Sequence, residues 1–154
     1  MSTYVVLAFL IGVVAGLRSL TAPAAVSWAA RLGWIHLENT PLAFLGFAAT
    51  PYIFSVMAIG ELIADQLPKT PSRKSPPGFI TRILTGGLCG AAFGAAGEAM
   101  IAGLCAGVAG AVVGTLGGYE WRVRLAKAAG KDLPIALLED AIAIGGAFFL
   151  VTRL

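Results

Sequence analysis

Long apolar stretches separated by short polar punctuation make up nearly the whole chain, and the punctuation divides it. Residues Tyr4–Leu17 carry no charge and end at Arg18. A shorter apolar piece, Leu20–Trp34, opens with Thr21-Ala22-Pro23. Proline suits a first helical turn, where its missing N–H would have had no partner. Leu42–Ile63, Phe79–Met100, Ile101–Gly118 and Pro134–Val151 follow. Crossing ~30 Å of hydrocarbon at 1.5 Å per residue takes about 20 residues. The pattern therefore predicts an all-α, polytopic transmembrane bundle of five spans, with Leu20–Trp34 either a sixth or a re-entrant or broken helix near residues 18–34. Pro51 is expected to bend the span that contains it.

Composition narrows the class. Of the 154 residues, 58% are hydrophobic and 12% charged, against ~25% charged in an average soluble domain. That balance argues against a soluble enzyme, a disordered tail and a nucleic-acid binder, and for a single transmembrane domain over residues 1–154. The net charge of +3 sits between apolar runs, where positive residues set topology. Pro68–Gly78 carries Lys69, Arg73 and Lys74, and Glu120–Leu133 carries Arg122, Arg124, Lys127 and Lys131. Both segments are expected on the cytoplasmic side. Ile35–Pro41 holds His36 and Glu38 without Lys or Arg and is expected outside, as is the C-terminus despite Arg153. Tyr4–Leu17 lacks a basic leader and reads as a retained span rather than a signal peptide. The side of the N-terminus depends on whether Leu20–Trp34 crosses.

Small residues recur at every fourth position in two rows, Gly86, Gly90, Gly94 and Gly110, Gly114, Gly118. Residues four apart share a helix face, and glycine there lets two backbones approach closely. The rows predict either tight packing within the Phe79–Gly118 hairpin or a homo-oligomer seam. Gly12–Leu17 also echoes Ala111–Leu116, as an internal duplication would.

Carboxylates inside apolar segments carry the chemistry. Each costs roughly 2.5–3.5 kcal/mol at bilayer depth unless it finds a partner or a wet cavity. Glu61 and Asp65 are spaced i,i+4 and project from one helix face. Glu98 lies at the expected turn between two spans, at headgroup level, and Glu139 and Asp140 in the first turns of the last span. Each has a plainer reading. Glu139 and Asp140 suit a helix N-terminus, and Asp65 can reach Lys69 or Arg73. Arg18 stands in Gly16-Leu-Arg-Ser-Leu-Thr-Ala-Pro23, a run that breaks the helix and supplies the hydroxyls of Ser19 and Thr21. A half-helix starting there would aim free N–H groups at an anion or polar ligand, as in broken-helix transporters. The alternative is Arg18 snorkelling to headgroups. Arg73 and Arg82 bracket a proline-rich loop and either hold an anionic headgroup or phosphate-bearing solute or only set topology. Cys89 and Cys105 read as packing residues. With no P-loop, HExxH, GxSxG or Cys/His pair in the chain, neither metal, cofactor nor enzymatic activity is expected.

The segments Gly16–Trp28, Gly60-Glu-Leu-Ile-Ala-Asp-Gln-Leu-Pro-Lys-Thr-Pro-Ser-Arg73 and Pro77–Arg82 resemble an uncharacterised bacterial membrane family, domain of unknown function 4126. The resemblance implies a compact, multi-pass protein of the bacterial inner membrane and carries no activity with it. The residues themselves point to a small, homo-oligomeric channel or secondary transporter for an ion or small anionic solute, with Arg18, Ser19 and Thr21 facing Glu61 and Asp65. The competing reading is a non-catalytic accessory or structural subunit of a larger membrane complex. In the first reading Arg18 and Glu61 are paired or share one polar cavity.

Overall fold

The computed structural model describes residues 2–65, 75–131 and 133–154. It is all-helical among these residues: α1 (Ser2–Leu17), α2 (Thr21–Arg31), α3 (Thr50–Ala64), α4 (Pro76–Ala96), α5 (Met100–Ala129) and α6 (Leu133–Val151), with a 3-10 turn at Ala43–Gly46. Three helices, α4, α5 and α6, are long and apolar enough to cross a membrane, at 21, 30 and 19 residues. α1 and α3 are apolar but shorter, at 16 and 15 residues. α2 has 11 residues, about 16 Å of helix.

Three expectations are corrected. Pro51 does not bend a long span. It occupies the first turn of α3, where proline is best tolerated, and the residues before it form the separate 3-10 turn. Ile101–Gly118 is not the whole of its helix, because α5 continues to Ala129 and stops at Gly130 in a left-handed conformation (φ 70°), a common helix end. Most of the basic segment after Gly118 is therefore helix rather than loop. Glu139 and Asp140 lie beyond the first turn of α6, which has no acidic residue, so the dipole at that helix end does not account for them.

The interior is built from small residues. α1 and α5 run parallel, with Gly12 against Gly107 and Gly16 against Ala111, Gly114 and Thr115, while α4 runs antiparallel to both. A Cβ at Gly90 would overlap Gly103 and Gly107, and one at Gly94 would overlap Ala99 and Gly103; at Gly86 it would meet Ala111 and Gly107. The Gly110 and Gly114 row packs elsewhere than the hairpin reading places it. It receives Phe9 and Val13 of α1 rather than α4, and Gly118 is buried along the same helix. The two segments that echo each other in sequence are thus packing partners.

The exterior inverts a soluble protein. Tyr52, Ile53, Val56, Ile80, Leu84, Ile101, Val113, Leu137 and Phe149 are exposed, while Arg18, Ser19, Thr21, Ser27, Arg82, Thr115, Glu139 and Asp140 are buried. Without water to satisfy them, polar groups must turn inward to one another. Successive helices alternate in direction. Tyr4, His36, Glu98 and Leu154 line one pocket at one end of the bundle, and the α1–α2 break lies toward the other.

Candidate functional site

α1 stops after Leu17 and α2 begins at Thr21, so Arg18, Ser19 and Leu20 form a bend between two helix ends. Such ends leave carbonyls on one side and N–H groups on the other without intrahelical partners. Leu20, the N-cap of α2, has no side chain able to cap it. The cap comes from α3. Glu61 Oε1 accepts hydrogen bonds from the Ser19 amide (2.9 Å) and the Ser19 hydroxyl (2.6 Å), and Oε2 accepts one from the Leu20 amide (2.8 Å). A carboxylate on the positive end of a helix gains from the dipole as well as from charge-assisted hydrogen bonds. On the carbonyl side, the Thr115 hydroxyl of α5 is shared between Ala111 O (2.7 Å) and Gly16 O (3.3 Å).

Arg18 is fully buried. Its guanidinium is ion-paired to Asp65 at the end of α3 through Nη1 and to Asp140 of α6 through Nη2, and Nε donates to Asp140 Oδ1 at 2.5 Å. The side chain therefore does not snorkel. Two carboxylates compensate the desolvation of one guanidinium, and removing either side of such a pair typically costs ~3–5 kcal/mol. The Asp65 and Asp140 side chains keep 15% and 12% of their surface exposed, so the cluster has an open edge on the acidic side only.

Glu61 and Asp65 do face the break together, as their i,i+4 spacing predicts, but they divide the work. Glu61 takes the backbone and Asp65 takes Arg18, so Arg18 and Glu61 meet at the same break without pairing directly. The expected partners of Asp65 are Lys69 and Arg73. Those two residues, and with them the expectation for Arg73, lie outside the described residues. Neighbours in sequence point about 100° apart on a helix, so Glu139 and Asp140 serve different neighbours. Asp140 reaches α1, whereas buried Glu139 faces Arg122 of α5 at 3.8 Å. Arg82 is buried in α4, where Nη1 donates to Gly78 O at 3.4 Å. Thr21 is beside the cluster in sequence but lines a different, apolar crevice. Glu98 forms the α4–α5 turn at positive φ (58°).

The sequence reading missed Arg122 and Thr115 as site neighbours. Arg122 reads as a topology-setting loop charge because nothing local signals that the helix continues past Gly118. Thr115 gives no signal, since a single threonine in an apolar helix commonly bonds its own backbone. Among the described residues, no three His, Cys, Asp or Glu side chains gather as a metal site would require. No family model, curated protein or solved structure matches the chain.

Proposed function

We propose that this chain is a membrane-embedded carrier or channel of protons or small ions whose working site is the Arg18–Asp65–Asp140 cluster with Glu61 beside it. One observation carries the reading. Two aspartates from separate helices share a single buried guanidinium, and Glu61 adds a further carboxylate held by neutral backbone and hydroxyl groups. Acid therefore exceeds base among the described groups of the cluster, an excess that a proton or small cation would balance. Protonating Asp65 or Asp140 would weaken the pairing that fastens α3 or α6 to the break, which couples charge uptake to helix position. In this reading all six helices lie in the bilayer of a bacterial inner membrane, with α2 as a short arm returning antiparallel to α1. The anionic-solute version fits less well, since the amides that would bind an anion already hold Glu61. A homo-oligomer would have to form through faces other than the Gly seams, which α1, α4 and α5 already occupy.

An accessory-subunit reading draws on the same cluster. Its charges pair with one another inside the chain, as a purely structural fastening would.

Flux separates the two. Purified protein in proteoliposomes, with a pH-sensitive dye inside and an imposed proton or alkali-cation gradient, should dissipate that gradient faster than empty vesicles. Asp140→Asn, if it stays monodisperse, should lose the flux. No flux in the parent for protons or any small ion tried would overturn the carrier reading in favour of the accessory one.

A further inference from the structure

At the end of the bundle away from the α1–α2 break, a pocket of about 300 Å³ opens between segments remote from one another in sequence. Tyr4 comes from the first turn of α1, Trp34 and His36 from the chain after α2, and Glu98 from the α4–α5 turn. The polar groups are accessible: His36 and Glu98 are exposed, and Trp34 keeps 45% of its surface. They are also held in place. The amides of Trp34 and Ile35 both donate to Ala29 O (2.8 and 3.3 Å), and Ile35 and Leu37 are buried on either side of His36. Tyr4 lies on Gly97, where a Cβ would strike its ring. Next in the chain, Glu98 is the one non-glycine among the described residues at positive φ (58°), a conformation in which glycine would be unstrained. Backbone strain of this kind gathers at ligand sites, where the side chain is worth its cost.

We infer that this pocket binds a small organic cation, an amine or quaternary ammonium, through the Glu98 carboxylate and the rings of Trp34 and Tyr4. Charge selects the sign, since a carboxylate lines the pocket and no lysine or arginine does. Arg153, beside the lining residue Leu154, is turned onto the Phe149 ring at 4.5 Å instead. The rings select an organic cation over a metal ion. A ring face attracts an ammonium group, whereas a metal ion takes several N, O or S ligands, and no three His, Cys, Asp or Glu side chains gather among the described residues. The volume lies at the lower end of the roughly 300–1,000 Å³ of small-molecule pockets, which keeps the guest small. The ammonium can belong to a free solute or to a phospholipid headgroup, and the recognition is the same. The site is separate from the Arg18 cluster and does not depend on the transport reading.

His36 is the only histidine in the chain, so protein carrying isotope-labelled histidine and no histidine tag gives a single imidazole NMR signal, from the pocket itself. The protein, in a maltoside detergent, is titrated with choline at constant ionic strength. The expected result is a saturable shift of that signal at millimolar choline or below, and none with the uncharged alcohol in which carbon replaces the choline nitrogen. Glu98→Gln should weaken choline about fivefold, and Trp34→Leu roughly twofold to fivefold. Glu98→Gly should weaken choline as much as Glu98→Gln while raising the melting temperature, because it relaxes the turn. Short-chain phosphatidylcholine, titrated in parallel, separates the two sources: tighter binding than choline supports a headgroup, equal or weaker binding a free solute. A shift that rises linearly, or that the alcohol reproduces, means no recognition of charge and overturns the proposal. Saturation with zinc but not with choline overturns the assigned ligand class. The comparison of choline with the alcohol uses the parent protein alone, so it decides the question even where a variant fails to fold.

Discussion

Along the α1–α4–α5 seam the helices touch backbone to backbone, with Gly12, Gly86, Gly90, Gly103, Gly107 and Gly114 at the crossings. Around the α1–α2 break, α3 and α6 are gathered instead by Glu61, Asp65 and Asp140 acting on Ser19, Leu20 and Arg18. Lipid tails are as apolar as leucine, so burying apolar surface gives helices in a bilayer little reason to associate. The two regions answer that problem differently. One sums many weak dispersion and Cα–H···O contacts, each dependent on shape. The other relies on a few strong electrostatic contacts, each dependent on charge. The first should tolerate changes of charge and fail on changes of volume, and the second the reverse.

The largest effect is expected at Arg18. Arg18→Ala removes the guanidinium that Asp65 and Asp140 share, and should destabilise the protein by ~3–5 kcal/mol in thermal unfolding of the detergent-solubilised chain. A double-mutant cycle sharpens the point. Arg18→Ala with Asp140→Ala should show a coupling of ~0.5–3 kcal/mol, and Arg18→Ala with Glu61→Ala a smaller one, because Glu61 contacts the backbone. Equal couplings would mean that the three charges act as one group. On the shape-dependent side, Gly90→Leu and Gly114→Leu each place a side chain into facing backbone, and overpacking of this kind costs ~1–3 kcal/mol. Unchanged melting temperature and particle size for both would put those faces in lipid.

Glu61→Gln comes next. The amide keeps one acceptor, but its NH2 takes the place of the other and faces a donor, so the loss is ~1–3 kcal/mol. A loss as large as that of Arg18→Ala would show that Glu61 carries more of the fastening than its contacts indicate. The smallest effect is expected at Gly145 of α6, where an added Cβ meets nothing within 4 Å. Gly145→Ala should be neutral or stabilise by up to ~1 kcal/mol. A destabilisation there, against the clash at Gly90, would break the link between crossing geometry and glycine placement.

How legible these features were in the sequence follows from the range of the interactions behind them. The helices show because their apolar runs are contiguous, and Gly86, Gly90 and Gly94 share a face because four-residue spacing is local. The Glu61–Asp65 pair faces one direction for the same reason. What each residue meets is not local. That Gly110 and Gly114 receive α1 instead of α4, or that Arg18 takes Asp140 instead of Glu61, depends on which helices become neighbours, and no spacing within one helix encodes that. The length of α5 was hidden for a different reason. Charge after Gly118 resembles a loop whether or not the backbone stays helical, and Gly130, the residue that ends the helix, looks like any of the other 19 glycines.

The pairing of Arg18 with Asp140 joins residues 122 apart in the chain, and this bears on biogenesis. Synthesis proceeds from the N-terminus, at about 5–20 residues per second, so α1 is made well before α6 exists. During that interval Arg18 lacks one of its two aspartates, and α1 has not yet met the α5 face on which Gly12 and Gly16 will rest. The early helices wait in a half-assembled state until the last helix closes the structure. A nascent chain halted before Asp140 is therefore expected to be a substrate for membrane quality-control proteases. Completion of α6 is then the event that commits the protein to its folded form.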